Sequence, residues 1–165
     1  MIYENIFRLL NEADVRYVVV GGIAVNLHGY HRATGDLDIA ISMTERDILE
    51  FVRVAKMHGF VPRVPVAMED FANREKREDW IHQKNMKVFT VYNPKKQMEH
   101  IDIMTEEIVD FESLFKDRVM TSYRAIPIPV ASIPHLIQMK EHAGRDRDRM
   151  DIQALRKIQE LKNAK

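Results

Sequence analysis

The stretch Val18–Ile41 reads Val-Val-Val-Gly-Gly-Ile-Ala-Val-Asn-Leu-His-Gly-Tyr-His-Arg-Ala-Thr-Gly-Asp-Leu-Asp-Ile-Ala-Ile. The apolar run from Tyr17 to Val20 predicts a buried strand, Gly21 and Gly22 a tight turn, and Ile23 to His28 a short buried helix. A second strand follows and carries Asp36 and Asp38. Residues two apart in a strand share a face, so these two acids point one way while Leu37, Ile39 and Ile41 point the other. Two carboxylates held side by side repel, and such crowding is tolerated where cations neutralise it; their hard oxygens suit magnesium. The plainer reading of an isolated Asp-x-Asp is a solvated strand end with two surface acids.

Gly21 and Gly22 let backbone come close to a ligand, and the start of the following helix presents unpaired N–H groups that favour phosphate oxygens. No Lys-Ser or Lys-Thr follows at Walker spacing, and no Gly-x-Gly-x-x-Gly is present, which excludes a P-loop and a dinucleotide fingerprint. A tight strand-to-helix turn with no ligand is the alternative.

Further along, His100-Ile101-Asp102-Ile103-Met104 alternates as a strand does, with Asp102 on the face opposite Ile101 and Ile103. Acidic residues are depleted from strands, so Asp102 is a candidate third carboxylate; an outward acid protecting a sheet edge is the alternative. Ser132 is placed to cap a helix entered through Ile133 and Pro134 and running to Gly144. Lys140 follows Ile137 and Leu136 by three and four residues and therefore shares their apolar face. Either its stem packs on the core with the amine in water, or a lysine on that face has a functional reason.

In the order Gly21-Gly22, small-residue helix, Arg32-x-Thr34-x-Asp36-x-Asp38, the chain resembles the polymerase-beta-type nucleotidyltransferase superfamily, most closely the minimal and abortive-infection toxin-like nucleotidyltransferases of prokaryotes. The resemblance implies an α+β fold with a mixed, mostly antiparallel central sheet flanked by helices, the C-terminal helices packed near the active site. It implies a nucleoside triphosphate such as ATP, and magnesium, as two ions, on Asp36, Asp38 and Asp102. Toxin-like members carry a Met-Lys pair followed by an Arg and an Asp, similar to Met139-Lys140, Arg145 and Asp148, and there the lysine meets the triphosphate. Gly21, Gly22, Lys140 and Arg145 are thus candidate nucleotide contacts. Arg32 and Thr34 match the branch motif and either join them or shape the loop by hydrogen bonding. Many superfamily members follow the first glycine with serine, where Gly22 offers only backbone; the toxin-like and antibiotic-modifying branches share this diglycine.

The implied activity moves a nucleoside monophosphate to an acceptor hydroxyl with release of pyrophosphate, as the toxin-like component of a toxin–antitoxin pair. Two other classes use the same residues: a non-catalytic regulator that binds nucleotide or a partner, and a hydrolytic or phosphotransfer metalloenzyme. RNA ends, a protein hydroxyl and a small molecule all fit as acceptors, because acceptor choice resides in loops.

Composition narrows the setting. The 165 residues are 45% hydrophobic and 30% charged, enough for one domain, residues 1–165, with a real core; the resemblance makes it a nucleotidyltransferase domain. Twenty-five basic and twenty-five acidic residues cancel, so no global field draws the chain to nucleic acid or an anionic membrane. With no cysteine there is no disulfide frame, thiolate zinc site or cysteine nucleophile. None of the histidines, among them His28, His31, His100, His135 and His142, forms a His-x-x-x-His pair, which argues against zinc. The start Met1-Ile2-Tyr3-Glu4-Asn5 lacks signal-peptide character and no stretch is apolar enough to span a membrane; a cytoplasmic location fits.

The remaining segments supply scaffold. Ile2, Ile6, Leu9, Leu10 and Ala13 predict an amphipathic helix before the first strand. Thr44 and Asp47 begin a capped helix that Gly59 ends. Phe60 to Val66, broken by Pro62 and Pro65, is at most an edge strand. Residues 68–85 read as a solvated helix and turn, with Trp80 either a buried anchor or a stacking residue on a mobile flap. Lys87–Tyr92 and Glu99–Met104 pair as a hairpin through Asn93-Pro94-Lys95-Lys96. Phe111–Phe115 suits a short helix, Ser122–Val130 an extended edge segment marked by Pro127 and Pro129, and Ile152, Leu155, Ile158 and Leu161 line a last helix beginning near Asp148.

Overall fold

Four consecutive apolar residues, Tyr17–Val20, are all buried and form β1, a central strand of a seven-stranded sheet. The computed structural model describes residues 3–96 and 98–164, so the expected contribution of Ile2 to the first helix lies outside the described residues. That helix, α1 (Glu4–Glu12), precedes β1 and buries Ile6, Phe7 and Leu10. After β1 come α2 (Gly21–Leu27), β2 (Leu37–Ile41), α3 (Glu45–Met57), the short β3 (Val61–Pro62), a 3-10 turn (Met68–Ala72) and α4 (Arg74–Gln83). The chain ends with β4 (Val88–Tyr92), β5 (His100–Met104), α5 (Phe111–Lys116), β6 (Val119–Tyr123), β7 (Ile126–Val130), α6 (Ile133–Ala143) and α7 (Asp146–Asn163). The strand order is β3-β4-β5-β2-β1-β7-β6, mixed as expected: β2 pairs parallel with β5 and β1 with β7, while the other pairings are antiparallel.

Register divides the sheet into a core face and a chemical face. Tyr17 stands opposite Ile41, Val19 opposite Ile39, Ile39 beside Ile103 and Ile103 opposite Phe89, so these residues share one face. Helical elements cover it through aromatic stacking: Phe7 on Tyr17 at 6.2 Å, Phe71 on Phe89 at 4.4 Å and Trp80 on Phe89 at 5.8 Å. Trp80 is therefore the buried anchor of the charged 68–85 segment, and the flap reading fails because its ring is committed to the core. On the other face Val18, Val20, Asp38, Ala40, Asp102 and Thr90 alternate with these residues.

Local signals account for most boundaries. Thr44 Oγ1 accepts from the Asp47 N–H at the start of α3, and Gly59 follows the helix at φ +76°. The segment expected as one extended edge is instead a hairpin. Arg124 and Ala125, at φ +47° and +66°, turn the chain, leaving β6 as the edge and the proline-bearing β7 inside the sheet. Interior prolines are tolerated because Pro127 and Pro129 occupy alternate positions on the side turned towards β1, where register pairing is confined to Val19–Val130 and Asn11 Nδ2 donates to the Pro127 carbonyl. Two smaller expectations also change. Ser132 occupies the N-cap of α6 without a side-chain cap bond, and Leu161 is exposed while Leu155 alone of its stripe is fully buried.

Candidate active site

The site begins where β1 runs into α2. Gly21 has φ +65°, and a Cβ there would lie 2.0 Å from Asp38 Oδ2, so only glycine lets the Asp38 carboxylate sit against the turn. A Cβ on Gly22 would lie 2.5 Å from Thr34 Oγ1 and 3.0 Å from Arg32 Nη2. The side-chain space beside Gly22 is thus filled by Thr34 and Arg32. This explains the diglycine in physical terms, since a serine at Gly22 would collide with the hydroxyl already there.

Asp38 and Asp102 are register partners on parallel β2 and β5, one strand apart on the chemical face. Thr90, opposite Asp102 on β4, donates its hydroxyl to Asp102 Oδ1 at 2.6 Å. Asp36 lies exposed one residue before β2, so it stands at the mouth of this pair rather than within the strand. Burial, followed by the charges of Asp102 and Asp36, pushes the Asp38 carboxyl up to about 6, against the pull of the Gly22 N–H and Arg145. Among the described residues no three His, Asp or Glu side chains converge as a ready-made metal cage. The donor chemistry nevertheless fits a divalent cation: acidic oxygens on neighbouring strands, the Asp38 carboxyl among them raised by burial and then by like charge, are the arrangement that a hard cation relieves.

Facing the carboxylates is a buried ionic network on the C-terminal helices. Arg32 closes its fork on Asp151, Nε to Oδ1 at 2.8 Å and Nη2 to Oδ2 at 2.9 Å, while its backbone is held at both ends by the Asn26 side-chain amide. Lys140 Nζ donates to Asp151 Oδ2 at 2.6 Å and to Asp148 Oδ1 at 3.3 Å. Arg145, at the N-cap of α7, gives both its backbone N–H and Nε to Asp148 Oδ2, at 3.1 and 2.9 Å. Burial acts to raise the Asp151 carboxyl, but hydrogen bonds and charge from Arg32 and Lys140 outweigh it and hold it below the usual carboxylate range. Asp148 is lowered in the same way, by Arg145 and Lys140 against burial. Three cations against two carboxylates leave the network one positive charge.

Lys140 is 5% exposed, so the reading in which its amine reaches water is wrong: two carboxylates of α7 claim it. It still borders a recess of about 90 Å³ formed with Gly21, Asp38, Leu136, Met139 and Arg145, and Arg145, largely exposed, is the member of the network whose remaining donors face outwards. The structure thus brings together Gly21, Asp38, Lys140 and Arg145, aligns Asp102 with Asp38, and places Arg32 and Thr34 behind Gly22. Asp151 went unnoticed in the sequence, as did Thr90. The signal for Asp151 was present: it follows Asp148 by three residues and so shares its helix face.

A seven-stranded mixed sheet with paired aspartates beside a diglycine turn defines a nucleotidyltransferase fold. The chain belongs to a family described as nucleotidyltransferase of unknown function (DUF6036), whose model matches residues 1–163. No curated protein matches the sequence. Among solved structures it is similar to the lincosamide antibiotic adenylyltransferase LnuA bound to lincomycin, at 19% identity over 93% of both chains and TM-score 0.59. ANT(2")-Ia in complex with adenylyl-2"-tobramycin aligns at 12% identity over 99% of this chain and 94% of that one, TM-score 0.60. A protein from Thermotoga maritima classed as a nucleotidyltransferase aligns at 16% identity over 99% and 92%, TM-score 0.59.

Proposed function

We propose that this nucleotidyltransferase is magnesium-dependent and moves a nucleoside monophosphate from a nucleoside triphosphate to an acceptor hydroxyl. The observation that carries this reading is Asp38: it lies abreast of Asp102, pressed against Gly21, with its carboxyl raised by burial and neighbouring acids. Asp36, Asp38 and Asp102 would hold the metal. Magnesium bound there supplies positive charge to the attacking and leaving oxygens of an in-line displacement. Gly21 and Gly22 let phosphate oxygens approach the backbone, and the outward donors of Arg145 meet the β/γ end. Lys140, held by Asp148 and Asp151, adds charge at the edge of the same recess.

In the reaction the acceptor oxygen forms a bond to the α-phosphorus as the α–β bridging P–O bond breaks. Pyrophosphate leaves with that electron pair, and the hydroxyl proton passes through the carboxylates to water. The test is transfer of label from α-labelled nucleotide to an acceptor in cell extract with magnesium. Wild type is expected to label one fraction and Asp38→Asn none; equal labelling by the variant would sink the assignment. The resemblance to toxin-like members adds one expectation: overproduction arrests growth and Asp38→Asn relieves the arrest, which an antitoxin partner would also do.

A further inference from the structure

A second cavity, of about 370 Å³, is lined by residues of α2, by Tyr3 and by the loop that leads into β2. Its walls combine Tyr3, Ile23 and Leu27 with the polar groups of Asn26, His31 and Thr34, and it shares no lining residue with the recess at Asp38 and Arg145. Gly35, immediately before Asp36, closes it, and the Tyr3 hydroxyl donates to the Gly35 carbonyl at 2.7 Å. Asp36 lies near enough for its charge to act on the Tyr3 phenol. Asp38 thus lines the cationic recess, and Asp36 directly follows Gly35 of the apolar cavity.

An in-line displacement requires the entering hydroxyl and the departing pyrophosphate on opposite sides of the phosphorus. Resting on the nucleotidyl-transfer reading, and with the cationic recess taking the phosphates, we infer that the 370 Å³ cavity binds the acceptor. We infer also that the acceptor is a small, uncharged, partly apolar molecule bearing a hydroxyl. The volume lies within the range of small-molecule sites, and apolar walls with a few polar groups are their usual composition. Among the described residues the lining holds no Lys or Arg, which a phosphate-rich RNA end requires. Among them it also holds no Asp or Glu, which a polycationic acceptor requires. The His31 ring and the Thr34 hydroxyl make no hydrogen bond to other described residues and are available to orient the acceptor. Most of the Asn26 amide is already used by Arg32.

The experiment fills the cavity from its apolar wall with Leu27→Trp, a position outside the carboxylates and the phosphate recess. A milder Leu27→Phe is run beside it, and folding of both is checked by thermal melting. Purified full-length proteins receive magnesium, α-labelled nucleotide and cell extract, and the extract is separated into RNA, protein and dialysable small molecules. Nucleotide affinity is measured in parallel. The expected result is label in the small-molecule fraction for wild type. At least a tenfold loss is expected in a folded Leu27 variant that binds nucleotide as wild type does. Label in RNA or protein, undiminished small-molecule labelling by folded variants of both kinds, or loss of nucleotide affinity in a folded variant each overturns the acceptor assignment. Wild type that neither binds nucleotide nor releases pyrophosphate in extract fails the nucleotidyl-transfer reading itself, and with it this proposal.

Discussion

Asp151 of α7 receives both sides of the Arg32 guanidinium fork across 119 residues of sequence, at 2.8 and 2.9 Å, and is itself fully buried. It ties the loop that feeds the acidic strand to the last helix, and through Lys140 it ties that helix to α6.

Removing that carboxylate leaves the Arg32 guanidinium without its charge partner and Lys140 with Asp148 alone, in an interior where an uncompensated charge costs about 3–5 kcal/mol. Asp151→Ala is therefore expected to lose stability of that order in urea unfolding. Arg32→Lys is expected to lose part of it, because an ammonium cannot reproduce a two-point fork.

Gly22→Ala should destabilise by roughly 1–3 kcal/mol, the usual cost of overpacking, by forcing Thr34 and Arg32 apart. Thr34→Ala removes the hydroxyl that the new methyl meets at 2.5 Å. A double-mutant cycle in thermal or urea unfolding is expected to show that the second change recovers part of the first; strict additivity would contradict the steric account.

Asp38 makes stability of the metal-free protein depend on pH in an unusual direction. Its folded pKa of about 6 lies above the ordinary 3.8, so between those values the folded state binds more protons than the unfolded one. Its contribution is present below pH 4 and is lost as pH rises through 6, about 3 kcal/mol at most. Denaturant midpoints taken from pH 4.5 to 7 without divalent metal should fall through this window. Asp38→Asn should flatten that trend and be the more stable protein at pH 7, despite losing transfer.

Magnesium is expected to raise the melting temperature of wild type by binding the folded state alone. The increment should shrink in Asp38→Asn and in Asp102→Asn. An undiminished increment in both would place the cation elsewhere.

Much of this architecture was legible because its signals are local. The all-apolar β1, the alternation around Asp38 and Asp102, and the Thr44 cap each state their structure within a few residues. The β6–β7 hairpin was hidden because Arg124 and Ala125 adopt positive φ with neither glycine nor asparagine to announce it. Lys140 was legible as anomalous, but its partners were not, since Asp148 and Asp151 reach it from a different helix. The filling of the Gly22 side-chain space by Thr34 is a packing relation between two turns, which periodicity does not encode.

The Arg32–Asp151 bridge also sets an order of events during synthesis. The carboxylates of β2 and β5 leave the ribosome well before the helix that braces them. At ordinary elongation rates, the 119 residues separating the two partners take roughly 6–24 s to make. Until then Arg32 has no counter-charge and the loop at Gly22 has no brace. A nascent chain therefore carries the paired acidic strands before the loop at Gly22 is braced, so the site is complete only once α7 has docked.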